Sequence, residues 1–208
     1  MSYAAKDWER CYRENDTGWD LRGITPPLAA LLASGFLSTL GLPQRPSVLV
    51  PGCGRGHDLR AFAAAGCEVT GVEIVPEACV EARELLLLNR VEARVLCRDL
   101  FGLLPELQEG FDLVYDYTCL CAIPPHLRPA YGKTIRGVLK EHGTWLGLVF
   151  PMLPENTGKQ GPPHLVTEAD VHLTLEPGLQ VVASFAAEDS VERRRGAERW
   201  FVAKKRLR

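Results

Sequence analysis

The residues best placed for chemistry sit at the ends of apolar runs. In Val48-Leu49-Val50-Pro51-Gly52-Cys53-Gly54-Arg55-Gly56, a strand-like segment enters a turn with three alternate glycines. Such spacing lets the backbone bend sharply and pass against a ligand with no Cβ in the way. Glu73, 21 residues after Gly52, closes the next apolar run and offers a carboxylate to both hydroxyls of a ribose. Asp99 and Leu100, within Arg98-Asp99-Leu100-Phe101, follow the third run. They place an acceptor for an adenine amino group beside an apolar cover for the ring, although Asp99 reads equally as the N-cap of a short turn. Asp116 and Tyr117 end the fourth run, where a ligand's reacting end would lie; Asp116 also reads as a turn residue.

Two nucleoside ligands fit these positions. A dinucleotide turn reads G-x-G-x-x-G, so that the following helix receives a pyrophosphate. This chain reads G-x-G-x-G, with His57 where the last glycine would stand. The spacing favours S-adenosylmethionine, which has no phosphate and whose cationic sulfur is stabilised by aromatic faces and carboxylates.

The elements that must hold these residues follow from the pattern. Residues 1–25 mix aromatic and charged groups and predict an N-terminal arm or lid. Pro26-Pro27 opens an apolar helix over Leu28 to Leu40, ended by Gly41. Short β-type runs then alternate with helical segments, the signature of a parallel sheet. Strands are predicted at Ser47–Val50, Glu68–Glu73, Ala93–Cys97, Phe111–Asp116 and Thr144–Phe150. Helices are predicted at Asp58–Ala65, at Pro76–Asn89, and from Pro125 or Arg128 to Lys140. Residues 151–165 read as a lid loop, rich at first in Pro, Gly and Asn. A helix near Thr167–Thr174 and strands at Gln180–Ala186 and Glu198–Lys205 complete the chain. The last two strands lack a crossover helix between them and should pair antiparallel.

Composition narrows the class. The 208 residues suit one α/β domain, and 46% hydrophobic with 24% charged residues is that of a globular chain. The seven cysteines form no CxxC pair and no metal spacing with histidine, so neither a disulfide framework nor a metal site is expected. An early-charged N-terminus and the lack of a long apolar run predict a cytoplasmic protein without membrane contact. The net charge of −2 conceals eight Lys/Arg against one Glu in Arg193–Arg208, which reads as a solvated edge strand. No base-reading segment is visible, and Asp116-Tyr117-Thr118-Cys119 lacks the Asn/Asp-Pro-Pro-aromatic pattern used on exocyclic amines, so nucleic acid is not expected as a partner.

Trp8, Tyr12 and Trp19, the Pro51-Gly52-Cys53-Gly54 turn, Phe111 through Thr118, Ala122-Ile123-Pro124-Pro125-His126-Leu127-Arg128-Pro129 and Gly161-Pro162-Pro163 resemble the thiopurine S-methyltransferase superfamily, nearest its halide and thiol methyltransferase branch. The resemblance covers nearly the whole chain. It implies a Rossmann-like class I methyltransferase of seven strands, the last antiparallel, with helices on both faces and an aromatic arm closing over S-adenosylmethionine. By position, Trp8, Tyr12 and Trp19 would line the cofactor and acceptor pocket, and Gly52 and Gly54 would pass beneath the methionine part. Glu73 would hold the ribose, Asp99 and Leu100 would frame adenine, and Asp116 and Tyr117 would border the methionine end and the acceptor. The chain departs from related plant enzymes at Tyr12, often Trp there, and at His164, where an aromatic residue is common.

The implied acceptor is a small soft nucleophile: a thiol, thiopurine, thiocyanate, hydrosulfide or halide. Such acceptors need little deprotonation, and no residue stands out as a base. His57 reads as a first-turn residue, His126 as part of the Pro-Pro loop, and His164 as a lid residue. Cys53, Cys119 and Cys121 read as small apolar residues, so no covalent intermediate is expected. Tyr117 is the candidate for positioning the acceptor. A small-molecule O- or N-methyltransferase, a non-catalytic S-adenosylmethionine-binding protein and a nicotinamide-dependent reductase are the competing readings. A monomer or weak homo-oligomer is expected.

Overall fold

The computed structural model describes residues 7–152 and 161–206, so the first six residues of the expected arm and most of the expected lid loop lie outside the described residues. The arm begins with α1 (Trp8–Arg13), whose N-cap Asp7 accepts a hydrogen bond from the Arg10 N–H. The apolar segment expected as one helix is two, α2 (Pro26–Ala33) and α3 (Phe36–Thr39). Between them Gly35 takes φ +72°, a left-handed conformation that ends an α-helix.

The alternating units follow: β1 (Ser47–Pro51), α4 (His57–Ala64), β2 (Glu68–Glu73), α5 (Pro76–Leu88), β3 (Arg94–Cys97), β4 (Phe111–Tyr117) and α6 (Arg128–Val138). The chain closes with β5 (Leu139–Val149), α7 (Glu168–Leu175), β6 (Leu179–Ala186) and β7 (Arg199–Lys205). Helix α6 ends and β5 begins earlier than the apolar pattern indicates. Leu139 already pairs with Phe111, and the register then slips so that Leu113 meets Thr144, leaving Lys140–Gly143 as a bulged excursion.

The sheet has seven strands in the order β3-β2-β1-β4-β5-β7-β6. Strands β1 to β5 are mutually parallel where they pair, and β7 runs antiparallel to both β5 and β6. The basic closing strand is therefore no solvated edge: it fills the gap between two others. Its Lys204 turns inward, with Nζ donating to Thr144 Oγ1 at 2.7 Å.

Alternation along the strands builds a core on each face. Val48, Val50, Leu113, Tyr115, Leu146 and Leu148 pack with α2, α4 and α5. Leu49, Val114, Trp145 and Phe201 pack with α6 and α7 on the other face. The two helices of this second face touch so closely that a Cβ on Gly132 would lie 1.7 Å from the Thr174 carbonyl oxygen. Gly132→Ala must push α6 from α7, and a loss of about 3 kcal/mol or more is expected, read as a lowered denaturant midpoint at unchanged slope.

Candidate active site

The glycine turn is shaped by what its neighbours leave open. Gly52, Gly54 and Gly56 all have positive φ, at +59°, +51° and +79°. A Cβ on Gly52 would meet the Cys119 side chain at 3.3 Å, and one on Gly54 would meet the Tyr12 hydroxyl at 3.0 Å. Side chains there would both strain the backbone and fill the cleft.

Glu73, at the end of β2, fastens this turn. Its Oε2 accepts from the Gly54 N–H at 2.9 Å, and its Oε1 accepts from Ile74 and Val75 N–H at 2.8 and 3.0 Å. Burial raises its pKa, and these three amide donors oppose the rise. Three of about four lone-pair positions on the carboxylate are thus occupied by the backbone. The residue faces a cavity of about 550 Å³, so its remaining acceptor capacity is directed at whatever the cavity holds.

That cavity opens at the carboxyl ends of the parallel strands, as the doubly wound topology requires. Trp8, Tyr12, Trp19, Gly52, Gly54, Glu73, Asp99, Leu100 and Tyr117 all line it. Asp99 fulfils both of its readings: its Oδ1 caps the Phe101 N–H at 2.9 Å while the residue borders the cavity. The arm is folded over the opening. Tyr12 is buried with Val75 and Ala78, and Trp19 stands edge-on to Trp8 and Tyr12 at 5.2 and 5.9 Å between ring centres.

Asp116 is placed differently from the expectation. It is 3% exposed and does not line the cavity. Its Oδ2 accepts from Tyr131 Oη at 2.5 Å and its Oδ1 from the Leu120 N–H at 3.2 Å, so it shapes the turn carrying Cys119 from below. His164 also lies off the cavity, with its N–H donating to the Cys121 carbonyl at 2.7 Å. Cys53, Cys119 and Cys121 do line the cavity, and burial raises all three thiols, Cys121 to about 12, which keeps them protonated and unreactive.

The wall built by the closing segment escaped sequence reasoning. Arg194, 3% exposed, donates to the Tyr117 hydroxyl and, through its other amino group, to the Trp19 carbonyl at 2.7 Å. Tyr117 Oη donates in turn to Glu198 Oε1 at 2.5 Å. The guanidinium lies 4.8 Å from the centre of the Phe150 ring and 5.3 Å from that of Tyr117. Asp58 was missed as well. It borders the cavity and accepts from Thr25 N–H, Thr25 Oγ1 and Tyr115 Oη at 2.8, 2.7 and 3.1 Å, tying the root of the arm to α4 and β4.

Arg128 explains the Ile-Pro-Pro-x-x-Arg run. It is 4% exposed, donates to the Leu165 carbonyl at 2.7 Å and lies 3.3 Å from Asp170, anchoring the chain that returns from the lid loop. Among the described residues no group of three His, Cys, Asp or Glu is disposed to hold a metal ion, and no helix is long and apolar enough to cross a membrane.

Burial raises Asp116 from the ordinary carboxylate range to about 6. Its contribution to stability is full below about pH 3.9 and is lost as pH rises through 6. Asp116→Asn does not titrate, so its stability relative to wild type should improve by about 2 kcal/mol between pH 4 and pH 7, measured by urea unfolding at each pH.

Residues 3–206 match the thiopurine S-methyltransferase family. The chain is 33% identical over 195 residues to the probable thiol methyltransferase 2 of Arabidopsis thaliana, covering 92% of this chain and 81% of that protein. It is 27% identical over 183 residues to the thiopurine S-methyltransferase of Legionella pneumophila (strain Philadelphia 1), covering 81% and 79%. Among solved structures, Burkholderia thailandensis 1,6-didemethyltoxoflavin-N1-methyltransferase with bound S-adenosylhomocysteine superposes with a TM-score of 0.71 at 21% identity, over 97% of this chain and 86% of that one. The fold is that of class I methyltransferases. With the match running from the arm through the closing strand, the chain belongs to the thiopurine S-methyltransferase family.

Proposed function

We propose that this protein is an S-adenosylmethionine-dependent methyltransferase whose acceptor is a small soft nucleophile, such as a thiol, thiopurine, thiocyanate, hydrosulfide or halide. The observation that carries the reading is a single cavity with a backbone-fastened carboxylate, Glu73, on the β2 side and a buried guanidinium, Arg194, beside β7. Three strands, β1, β4 and β5, separate β2 from β7 in the sheet. The names of the thiol, thiocyanate and thiopurine methyltransferases that the chain resembles support the same acceptor class.

The donor fits the residues present. Glu73 takes a ribose hydroxyl, Asp99 and Leu100 border the adenine, and the turn at Gly52 and Gly54 leaves room that a Cβ would fill. When bound, S-adenosylmethionine supplies a methyl group on a cationic sulfur. Trp8, Tyr12 and Trp19 cover the opening and exclude water, which leaves the carbon exposed only to a nucleophile already inside.

The acceptor side is walled by Arg194 and Tyr117, both lining the cavity. Glu198 lies 3.6 Å from Arg194 and offsets much of its charge, and both amino groups bond to the protein, so that wall is polar without a strong positive field. The Tyr117 proton is committed to Glu198, and the ring serves as a wall rather than as an acid. Burial raises the Tyr117 pKa, which keeps that proton in place at neutral pH. A thiolate or halide needs no base in such a site, whereas a hydroxyl or amine acceptor would more often need one. We place the protein in the cytoplasm, acting as a monomer or weak homo-oligomer.

Glu73→Ala should weaken S-adenosylhomocysteine binding by about 1.5 to 3 kcal/mol, the worth of a charged hydrogen bond, with part of the loss coming from the loosened Gly54 turn. Calorimetry reads this directly, and an unchanged dissociation constant would contradict the ribose role. The acceptor is tested with labelled S-adenosylmethionine and a panel of iodide, thiocyanate, hydrosulfide, thiophenol and a thiopurine. Turnover of at least one is expected; failure of all five alongside methylation of a hydroxyl or amine would overturn the soft-acceptor reading.

A further inference from the structure

Arg55, the one long side chain inside the glycine turn, does more than pass through it. Its Nη1 donates to Thr17 Oγ1 at 3.1 Å and to Asp20 Oδ2 at 2.8 Å, both on the arm. Its Nε donates to Glu81 on α5, and its guanidinium lies 4.9 Å from the centre of the Tyr12 ring. His57, two residues on, stands 3.7 Å from the other Asp20 oxygen. The pair is not a loose surface contact: the Arg55 and Asp20 side chains are 17% and 10% exposed.

We infer that Arg55 is a positioning residue: it latches the N-terminal arm across the cofactor cleft by joining the glycine turn, the arm and α5 through one guanidinium. The inference rests on the methyltransferase reading for its consequence, not for its geometry. Trp8, Tyr12 and Trp19 pack with Val75 and Ala78 at the start of α5. Polar ties from Arg55 and Arg194 add to that footing and fix how the arm lies across the cleft. Asp58 holds the root of the arm at Thr25 and Arg194 holds the Trp19 carbonyl, while Arg55, with His57 beside it, links the stretch around Thr17 and Asp20 to the turn that faces the ligand. A planar fork that meets two carboxylates and a hydroxyl at once suits this task; an ammonium cannot reproduce it.

A ligand that requires the closed arm binds with an apparent dissociation constant inversely proportional to the closed fraction. Opening the arm in nine molecules of ten would weaken binding about tenfold. The protein carries a built-in reporter, since Trp145 and Trp200 are 0% and 3% exposed while Trp8 and Trp19 are half-buried. Acrylamide quenching of tryptophan fluorescence in the ligand-free protein therefore reads the arm.

The experiment compares wild type with Arg55→Ala and Arg55→Lys by quenching, thermal melting, S-adenosylhomocysteine calorimetry and steady-state kinetics. Arg55→Ala should raise the quenching constant clearly and the dissociation constant about tenfold, with the donor KM rising more than kcat falls. Arg55→Lys should fall between the two. A quenching constant for Arg55→Ala equal to that of wild type would overturn the latch, whatever happens to turnover. Should Arg55→Ala fail to fold, Asp20→Asn and Glu81→Gln cut the same links, and unchanged quenching in both would overturn the inference equally. If wild type binds no S-adenosylhomocysteine, the proposed function fails while quenching still decides the latch.

Discussion

The arrangement of the cleft depends on the burial of one carboxylate. Taking Glu73 out of water is costly, and the structure offsets that cost with three backbone N–H donors rather than with a cation. Those donors come from the glycine turn and from the first residues after β2, so satisfying the charge also fixes the relative placement of the two loops. Gly54 presents its N–H to Glu73 from a φ of +51°, a conformation glycine adopts without strain. Binding geometry and backbone conformation are therefore set by the same hydrogen bonds.

The cleft is electrostatically divided. Near β2 the fixed polar group is an acceptor, suited to hydroxyl donors; near β7 the fixed groups are the Arg194 guanidinium and the Tyr117 hydroxyl, bonded to each other and to Trp19 and Glu198. Aromatic faces bridge the two regions, with Trp19 supplying its ring on one side and its carbonyl to Arg194 on the other. Much of this wall is built without titratable groups that change state near neutral pH. Cys119 and Cys121 are held as thiols by burial, and Tyr117 keeps its proton through the same cause.

Local signals made the first half of the site legible in the sequence. The glycine turn, Glu73 and Asp99 each sit directly after an apolar run, and the alternation of strand and helix patterns assigns those runs to one sheet edge. The aromatic arm was legible as unusual composition, and through the family resemblance as a lid. Arg194 and Glu198 were not, because charged residues at the start of a basic stretch ordinarily face solvent. Their burial follows from pairing with Tyr117, 77 and 81 positions earlier, which no local window contains. Asp116 misled for the opposite reason. Its position at a strand end is that of a site residue, yet strand alternation turns it toward Tyr131 and the core. The break at Gly35 and the bulge after Leu139 depend on single backbone conformations that hydrophobic periodicity does not record.

Strand β7 follows β6 in the chain but lies between β6 and β5. Until it arrives, β5 presents an unpaired edge and β6 has no partner strand. The segment leading into β7 carries Arg194 and Glu198, so the ion-paired wall of the cleft is assembled by the same event that seals the sheet. Catalytic competence and protection from edge-to-edge aggregation are thus gained together during folding, and a partly folded chain can have neither.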